Sequence, residues 1–189
     1  MPDRTHDFGH YGAKGERGSE AAARVLDSLA GYIASPLTSP RGLSARLRYL
    51  TRSAAGHNAI RQAGITVTPR TLKAWLTGTQ RPNKANLAKI DTAYRTLRRH
   101  NVARHLLRRL NANGGTRVEI HPLDQSHVPA PHQRVLEYRR LNIRTWDAII
   151  DAWSQGDPQA LDSAWIDQIV NLGSQWGKYE YVTSVGFAA

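Results

Sequence analysis

The sequence predicts an α+β protein: an N-terminal helical bundle with a helix-turn-helix, then a small antiparallel sheet with two helices in the order β-β-α-α-β. Apolar residues recur at helical spacing through most of residues 19–110. After residue 115 the pattern changes to short alternating stretches that are typical of strands, with helical stretches between them. The length of 189 residues suits one large domain or two small ones. We therefore expect one domain over 19–110 and a second over 116–189.

The chain begins with a segment that lacks periodicity. Residues 1–18 are rich in glycine, histidine and charge, and we expect them to form a flexible tail. A helix over 20–34 follows, with Ser19 as its N-cap and an apolar stripe along one face. Two prolines make residues 35–40 a linker.

Three short helices are expected next, over residues 43–53, 57–63 and 69–77. Gly64 ends the second of these helices, because glycine readily takes the left-handed conformation found after a helix. Thr68 suits the N-cap of the third helix and Pro69 its first position. Gly78 follows its last residue.

A long helix over 83–110 completes the helical part, and the glycine pair at 114 and 115 ends it. The second domain is expected to form an antiparallel sheet covered by two helices and to serve oligomerisation or partner binding. Its elements are a strand at 116–121, a proline-rich loop at 122–131, a strand at 133–143, helices at 145–154 and 158–172, and a strand at 179–187.

The distribution of charge is the strongest indication of function. Residues 41–110 contain sixteen Lys or Arg and a single acid, Asp91, so the net charge of this segment is +15. The net charge of the whole chain is +11, so the rest of the sequence is net negative. A block this basic repels itself unless an anion neutralises it. Nucleic acid is the usual anion for such a segment, so we expect the helical part to bind DNA.

The helices over 57–63 and 69–77 have the form of a helix-turn-helix, whose second helix lies in the major groove of DNA. Arg and Lys can bond guanine there, and Thr can contact a thymine methyl group. The outward residues of the second helix are the candidates for reading bases: Thr68, Arg70, Thr71, Lys73 and Ala74. Basic residues around the two helices are the candidates for phosphate contacts: Arg46, Arg48, Arg52, Arg61, Arg81, Lys84 and Lys89.

Two stretches carry a resemblance to a known family. Residues 44–50 (SARLRYL) and 67–78 (VTPRTLKAWLTG) resemble the helix-turn-helix part of the telomere terminal proteins of linear actinobacterial, Streptomyces-type replicons. Residues 113–120 (NGGTRVEI) and the strand near Arg134 follow in the order of the family, so the resemblance spans residues 42–143. It implies binding of telomeric DNA, and attachment to the DNA 5′ end through a hydroxyl side chain that primes synthesis of that end.

The sequence departs from this family in the loop that would carry the priming threonine. The turn of the helix-turn-helix is longer, and residues 129–133 read PAPHQ, without a hydroxyl side chain. Ser126 is the nearest candidate hydroxyl and Thr116 the next.

Two other functional classes stay open. The spacing of Trp75, Gly78 and Pro82 also resembles Cro-type repressors, so a transcriptional regulator that dimerises through its C-terminal part is the alternative. An enzyme that acts on DNA, such as a nuclease or relaxase, is the weakest hypothesis, because no complete catalytic constellation is visible. We expect no enzymatic activity apart from covalent priming.

Neither a metal nor a cofactor is expected. His121, His127 and His132 share a loop with Asp124, but their spacing matches no known metal signature. The acids at 147 and 151 fit the solvated face of a helix better than a magnesium site.

The expected partner is double-stranded DNA, with a second copy of the chain or a replication protein as further candidates. No stretch reaches the roughly 18 apolar residues of a membrane span, so we expect no membrane partner. The chain has no cysteine, which fits the cytosol, and we expect a cytoplasmic, nucleoid-associated protein.

Overall fold

The computed structural model describes residues 11–170 and 179–188, and over these residues the chain is α+β. They form seven α-helices and a four-stranded antiparallel sheet, which confirms the α+β class, and residues 16–17 add a fourth strand to the three that were predicted. The chain divides into two compact units. A helical unit comprises residues 30–104, and a sheet unit comprises the described residues of 11–29, 105–170 and 179–188. No helix in the described ranges is long and apolar enough to cross a membrane.

The helical unit is built from short helices with well-defined ends. Side-chain oxygens of Ser39, Ser53 and Thr68 each accept a hydrogen bond from a backbone N–H in the first turn of the helix that follows. Gly78 ends one helix with a left-handed φ of 77°. The helices are α2 (Pro40–Thr51), α3 (Ala54–Gln62), α4 (Pro69–Thr77) and the first part of α5 (Lys84–Asn111).

An apolar core holds these helices together. Leu47, Leu50 and Ile90 are completely buried, and Trp75 is 4% exposed. At Gly56 the α2 and α3 backbones approach so closely that a Cβ atom would lie 1.8 Å from the Leu50 carbonyl oxygen. Only glycine fits at that position, which fixes how closely α3 packs on α2.

The sheet unit has four strands, β1 (Glu16–Arg17), β2 (Thr116–Pro122), β3 (Arg139–Ile143) and β4 (Tyr181–Ala188). Their order in the sheet is β1-β4-β2-β3, with every neighbouring pair antiparallel. One face of the sheet is covered by helices, and its core includes the fully buried side chains of Trp146, Trp153 and Trp165. Trp146 contacts Phe187 with ring centroids 4.8 Å apart. The helices of this unit are α1 (Gly18–Leu29), α6 (Asp147–Gln155) and α7 (Pro158–Ile169).

The N-terminal part of the chain requires a correction to the predicted domains. Helix α1 belongs to the sheet unit, not to a helical domain over 19–110, and it ends at Leu29 instead of residue 34. Contacts with α7 place the start of α1 in the sheet unit, because Asp162 of α7 accepts hydrogen bonds from Arg17 and Ser19 at 2.7 and 2.5 Å. Residues 11–18 of the predicted tail contain β1 and a bridge between Lys14 and Asp124. Residues 1–10 lie outside the described part of the chain.

Other boundaries also differ from the sequence prediction, and helix α2 begins at Pro40 instead of residue 43. Helix α3 begins at Ala54 instead of residue 57, because the Ser53 hydroxyl caps it. The strand predicted over 133–143 begins only at Arg139. Upstream of it, the Gln125 side chain hydrogen-bonds both the N–H and the carbonyl of Arg134, which occupies backbone groups that a sheet would need. Residues 171–178, which include the end of the helix predicted over 158–172, lie outside the described part of the chain.

Candidate nucleic-acid interface

Helix α4 presents two cationic side chains to solvent. Arg70 and Lys73 are exposed, whereas Trp75, on the opposite side of the helix, is buried in the core. Neither cation makes a hydrogen bond or an ion pair with another residue that the structure describes. Both donors are therefore available to an external acceptor.

The remaining base-reading candidates on α4 have different surroundings. Thr68 is exposed, but its hydroxyl oxygen accepts from the Thr71 N–H at 3.2 Å and lies 3.0 Å from the Thr71 hydroxyl. Thr71 and Ala74 are half-buried. The threonine pair thus orders the start of α4, and the polar groups offered most openly to a ligand are those of Arg70 and Lys73.

The segment that joins α3 to α4 is held in place from both sides. Ile65 inserts its side chain into the core and is 5% exposed. The Lys89 ammonium, on α5, donates to the Gly64 carbonyl at 2.7 Å. Buried packing and this bond position α4 relative to α3.

Six of the seven phosphate-contact candidates are exposed on the helical unit. Arg81 donates to the Thr38 carbonyl at 2.7 Å, and the Arg52 guanidinium lies 4.2 Å from the centre of the Tyr49 ring. Carbonyls and rings orient these cations without cancelling their charge. The exposed candidates are Arg48, Arg52, Arg61, Arg81, Lys84 and Lys89.

Arg46 was expected to contact phosphate, and the structure corrects this expectation. Its side chain is buried, and its Nε donates to Asp91 Oδ1 at 2.9 Å. The guanidinium also donates to the carbonyls of Ser35, Gly42 and Ile33, at 2.9, 3.1 and 3.3 Å. Arg46 therefore ties α2 to α5 and to the segment before α2, and it is unavailable to DNA.

The only acid of the helical unit is occupied by two arginines. Asp91 binds Arg46 through one carboxylate oxygen and Arg95 through the other, at 2.9 and 2.7 Å. Residues 30–104 contain fourteen Lys or Arg and this one acid, a balance of +13. Nearly all of the positive charge of the unit is therefore left without a compensating carboxylate.

The two candidate priming hydroxyls lie in different environments. Thr116 is buried, and its hydroxyl donates to the Leu110 carbonyl at 2.7 Å. The expectation that Thr116 is a candidate priming hydroxyl is therefore wrong, because the group is not accessible. Ser126 is exposed, and its N–H donates to Asp124 Oδ1 at 2.9 Å. Hydrogen bonds from the Ser126 backbone and side chain lower the pKa of Asp124 below its usual value. Ser126 remains the accessible hydroxyl of the pair.

The histidines of the 121–132 loop do not converge. His132 stacks on Tyr11 with ring centroids 3.9 Å apart, and His121 lies 5.0 Å from the Tyr138 ring. Within the described ranges, no group of three or more His, Cys, Asp or Glu side chains is arranged to hold a metal ion. The acid at 147 accepts a hydrogen bond from the Asn111 amide at 3.3 Å.

Sequence reasoning missed a groove beside α4. It has a volume of about 570 Å³ and lies between the start of α2 and the end of α4. Leu43, Trp75 and Leu76 contribute apolar surface, and Arg48 and Arg81 contribute charge. Its walls come from two segments, residues 38–48 and 75–81, that are more than twenty-five residues apart in the sequence, so no local pattern could have indicated it.

Comparison with known proteins returned no match among protein-family models, curated proteins or solved structures.

Proposed function

We propose that the helical unit binds duplex DNA as a helix-turn-helix module, with α3 as its first helix and α4 as the helix that reads bases. The observation that carries this proposal is the exposed pair Arg70 and Lys73 on α4, within a unit whose cations outnumber its acids by thirteen. Arg70 is suited to a two-point hydrogen bond with guanine in the major groove, and Lys73 to a single one.

Around this reading helix, exposed cations would neutralise DNA phosphates. Arg81 and Lys84 follow α4 in the chain, and Arg61 lies on α3. Contacts of this type set the register on the duplex and release counterions, which makes the affinity depend steeply on salt. The specific part of the affinity is assigned to Arg70 and Lys73, and the general part to the surrounding cations.

Selection of bound duplexes from a random library, followed by titration of the selected and a scrambled duplex, tests this function. We expect Arg70→Ala to weaken binding to the selected duplex by about 1–3 kcal/mol and binding to the scrambled duplex much less. Arg104→Ala, which removes an exposed arginine of α5 in the same unit, is the matched control and should leave the preference intact. Equal losses on both duplexes would remove the base-reading role of Arg70.

A phosphate contact has a different signature. Lys84→Ala is expected to weaken binding to selected and scrambled duplexes alike, and to reduce the slope of log affinity against log salt by about 1. The measurement is a salt titration of both duplexes by fluorescence anisotropy. An unchanged slope would mean that Lys84 does not contact the backbone.

We further infer that the chain acts at the ends of a linear replicon, as a terminal protein that primes DNA synthesis. The resemblance over residues 42–143 supports this, together with the exposed hydroxyl of Ser126. Incubation with a replicon-end duplex, a DNA polymerase and labelled nucleotide should yield label attached to the protein, and Ser126→Ala should abolish it. Genome-wide binding sites confined to promoters would favour the transcriptional regulator instead.

A further inference from the structure

One face of the sheet is polar and open to solvent. On β2 the side chains at Thr116, Val118 and Ile120 are buried, so the alternate residues point the other way. The register places these alternate residues beside their partners on β3 and β4. This outer face consists of Arg117, Glu119, His121, Arg140, Asn142, Ser184, Gly186 and Ala188.

The part of the outer face on β4, which we call the floor, has small side chains, and the larger side chains of β2 lie beside it. Gly186 and Ala188 of β4 present almost no side chain, and Ser184 is small and exposed. A Cβ atom built at Gly186 would meet only the Cβ of Glu119, at 3.8 Å. Among the described residues of the sheet unit, nothing else lies within 4 Å of that atom, and Trp146 packs against Phe187 on the other face of the sheet.

An aromatic side chain stands at the edge of this floor. Tyr138 precedes β3, and it is 38% exposed. His121 lies beside it at 5.0 Å, and the Arg140 Nε donates to the Tyr138 hydroxyl at 2.8 Å. A hydrogen bond from Tyr138, with Arg140 nearby, lowers the pKa of Glu119. The tyrosine is thus fixed at its hydroxyl end, the Arg140 guanidinium lies 5.1 Å from the centre of its ring, and the residue as a whole keeps 38% of its surface exposed.

The charge of the outer face is positive. Arg117 and Arg140 lie on the face, and the exposed Arg144 comes directly after β3. The single carboxylate, Glu119, pairs with Arg140 at 3.2 Å. The carboxylates at 147, 151, 162 and 167 lie on α6 and α7 and not on this face.

We propose that the outer face of the sheet binds single-stranded DNA. Bases would lie on the floor formed by Ser184, Gly186 and Ala188 and stack against Tyr138, because every base offers a flat π face to an aromatic ring. Arg117 and Arg144 would neutralise the phosphates that link these bases along the strand. This activity belongs to the sheet unit and does not depend on duplex recognition by α4.

Titration of the full-length protein with fluorescein-labelled oligo(dT) at about 0.15 M salt, which screens non-specific attraction to the cations of the helical unit, tests the proposal. Tyr138→Ala should weaken binding roughly 5- to 150-fold, the range for the loss of one base–aromatic stack. Tyr138→Phe, which keeps the ring, should bind nearly as well as the unchanged protein. Tyr11→Ala is the matched control, since this exposed tyrosine of the same unit stacks on His132 and is not one of the outer-face residues.

A second set of variants separates this site from the duplex site. Gly186→Leu should block the floor and weaken binding, with circular dichroism confirming that the fold is retained. Arg70→Ala combined with Lys73→Ala should leave oligo(dT) binding unchanged. If Tyr138→Ala binds oligo(dT) as well as the Tyr11→Ala control does, or if the α4 double variant abolishes that binding, the proposal is wrong.

Discussion

Arg46→Ala is expected to destabilise the helical unit by about 3 kcal/mol, the lower end of the range for breaking a buried ion pair. The substitution removes the charge that pairs with Asp91 and leaves three backbone carbonyls without the donor that they share. The effect lies at the lower end because Asp91 keeps Arg95 as a partner and part of its solvent exposure.

Chemical denaturation followed by circular dichroism measures this change, with hydrogen exchange over residues 30–104 assigning it to the helical unit. Arg48→Ala is the control, because Arg48 is an exposed arginine of the same helix and should change the free energy of unfolding by little. If Arg46→Ala left the stability intact and weakened only DNA binding, Arg46 would be a phosphate contact after all.

Trp75→Ala is expected to destabilise the same unit by about 3–5 kcal/mol, the usual cost of removing a large buried aromatic side chain. Trp75 is 4% exposed and packs among the buried residues of the helical core. Because it lies on the inner side of α4, its loss should also release the reading helix from the bundle. DNA binding and stability should therefore fall together.

Denaturation and duplex titration of Trp75→Ala and Trp75→Phe test this coupling. The phenylalanine variant retains most of the apolar volume and should lose less of both properties. Full duplex affinity in a Trp75→Ala protein whose helical unit has lost stability would show that α4 binds DNA without the packing of Trp75 in the core.

The ends of α4 were predictable because the residues that set them are local. Thr68 and Pro69 fix the start of the helix and Gly78 its end, and all three act on backbone groups within a few residues. The exposure of Arg70 and Lys73 followed from the helical period once Trp75 was placed inward. Short-range patterns were therefore sufficient to locate the proposed reading helix.

Features that depend on distant residues could not be read in this way. Arg46 and Thr116 look like exposed polar residues in the sequence, yet both are buried in the structure. There Arg46 pairs with Asp91, and the Thr116 hydroxyl donates to the Leu110 carbonyl. A lone acid among so many cations was the one available indication that some arginine would pair with it. Likewise, nothing near α1 indicates that Asp162 of α7 will hold its first turn.

The most direct test of duplex recognition is photocrosslinking from the exposed face of α4. We would place benzoylphenylalanine at Thr77, which is exposed one turn beyond Lys73, and in a control protein at Thr96, an exposed threonine of α5. Irradiation with the selected duplex should crosslink Thr77 to bases through the major groove, and the control should give little product. A protein that ignores duplex DNA in dilute salt, or that crosslinks from Thr96 and never from Thr77, would contradict the account.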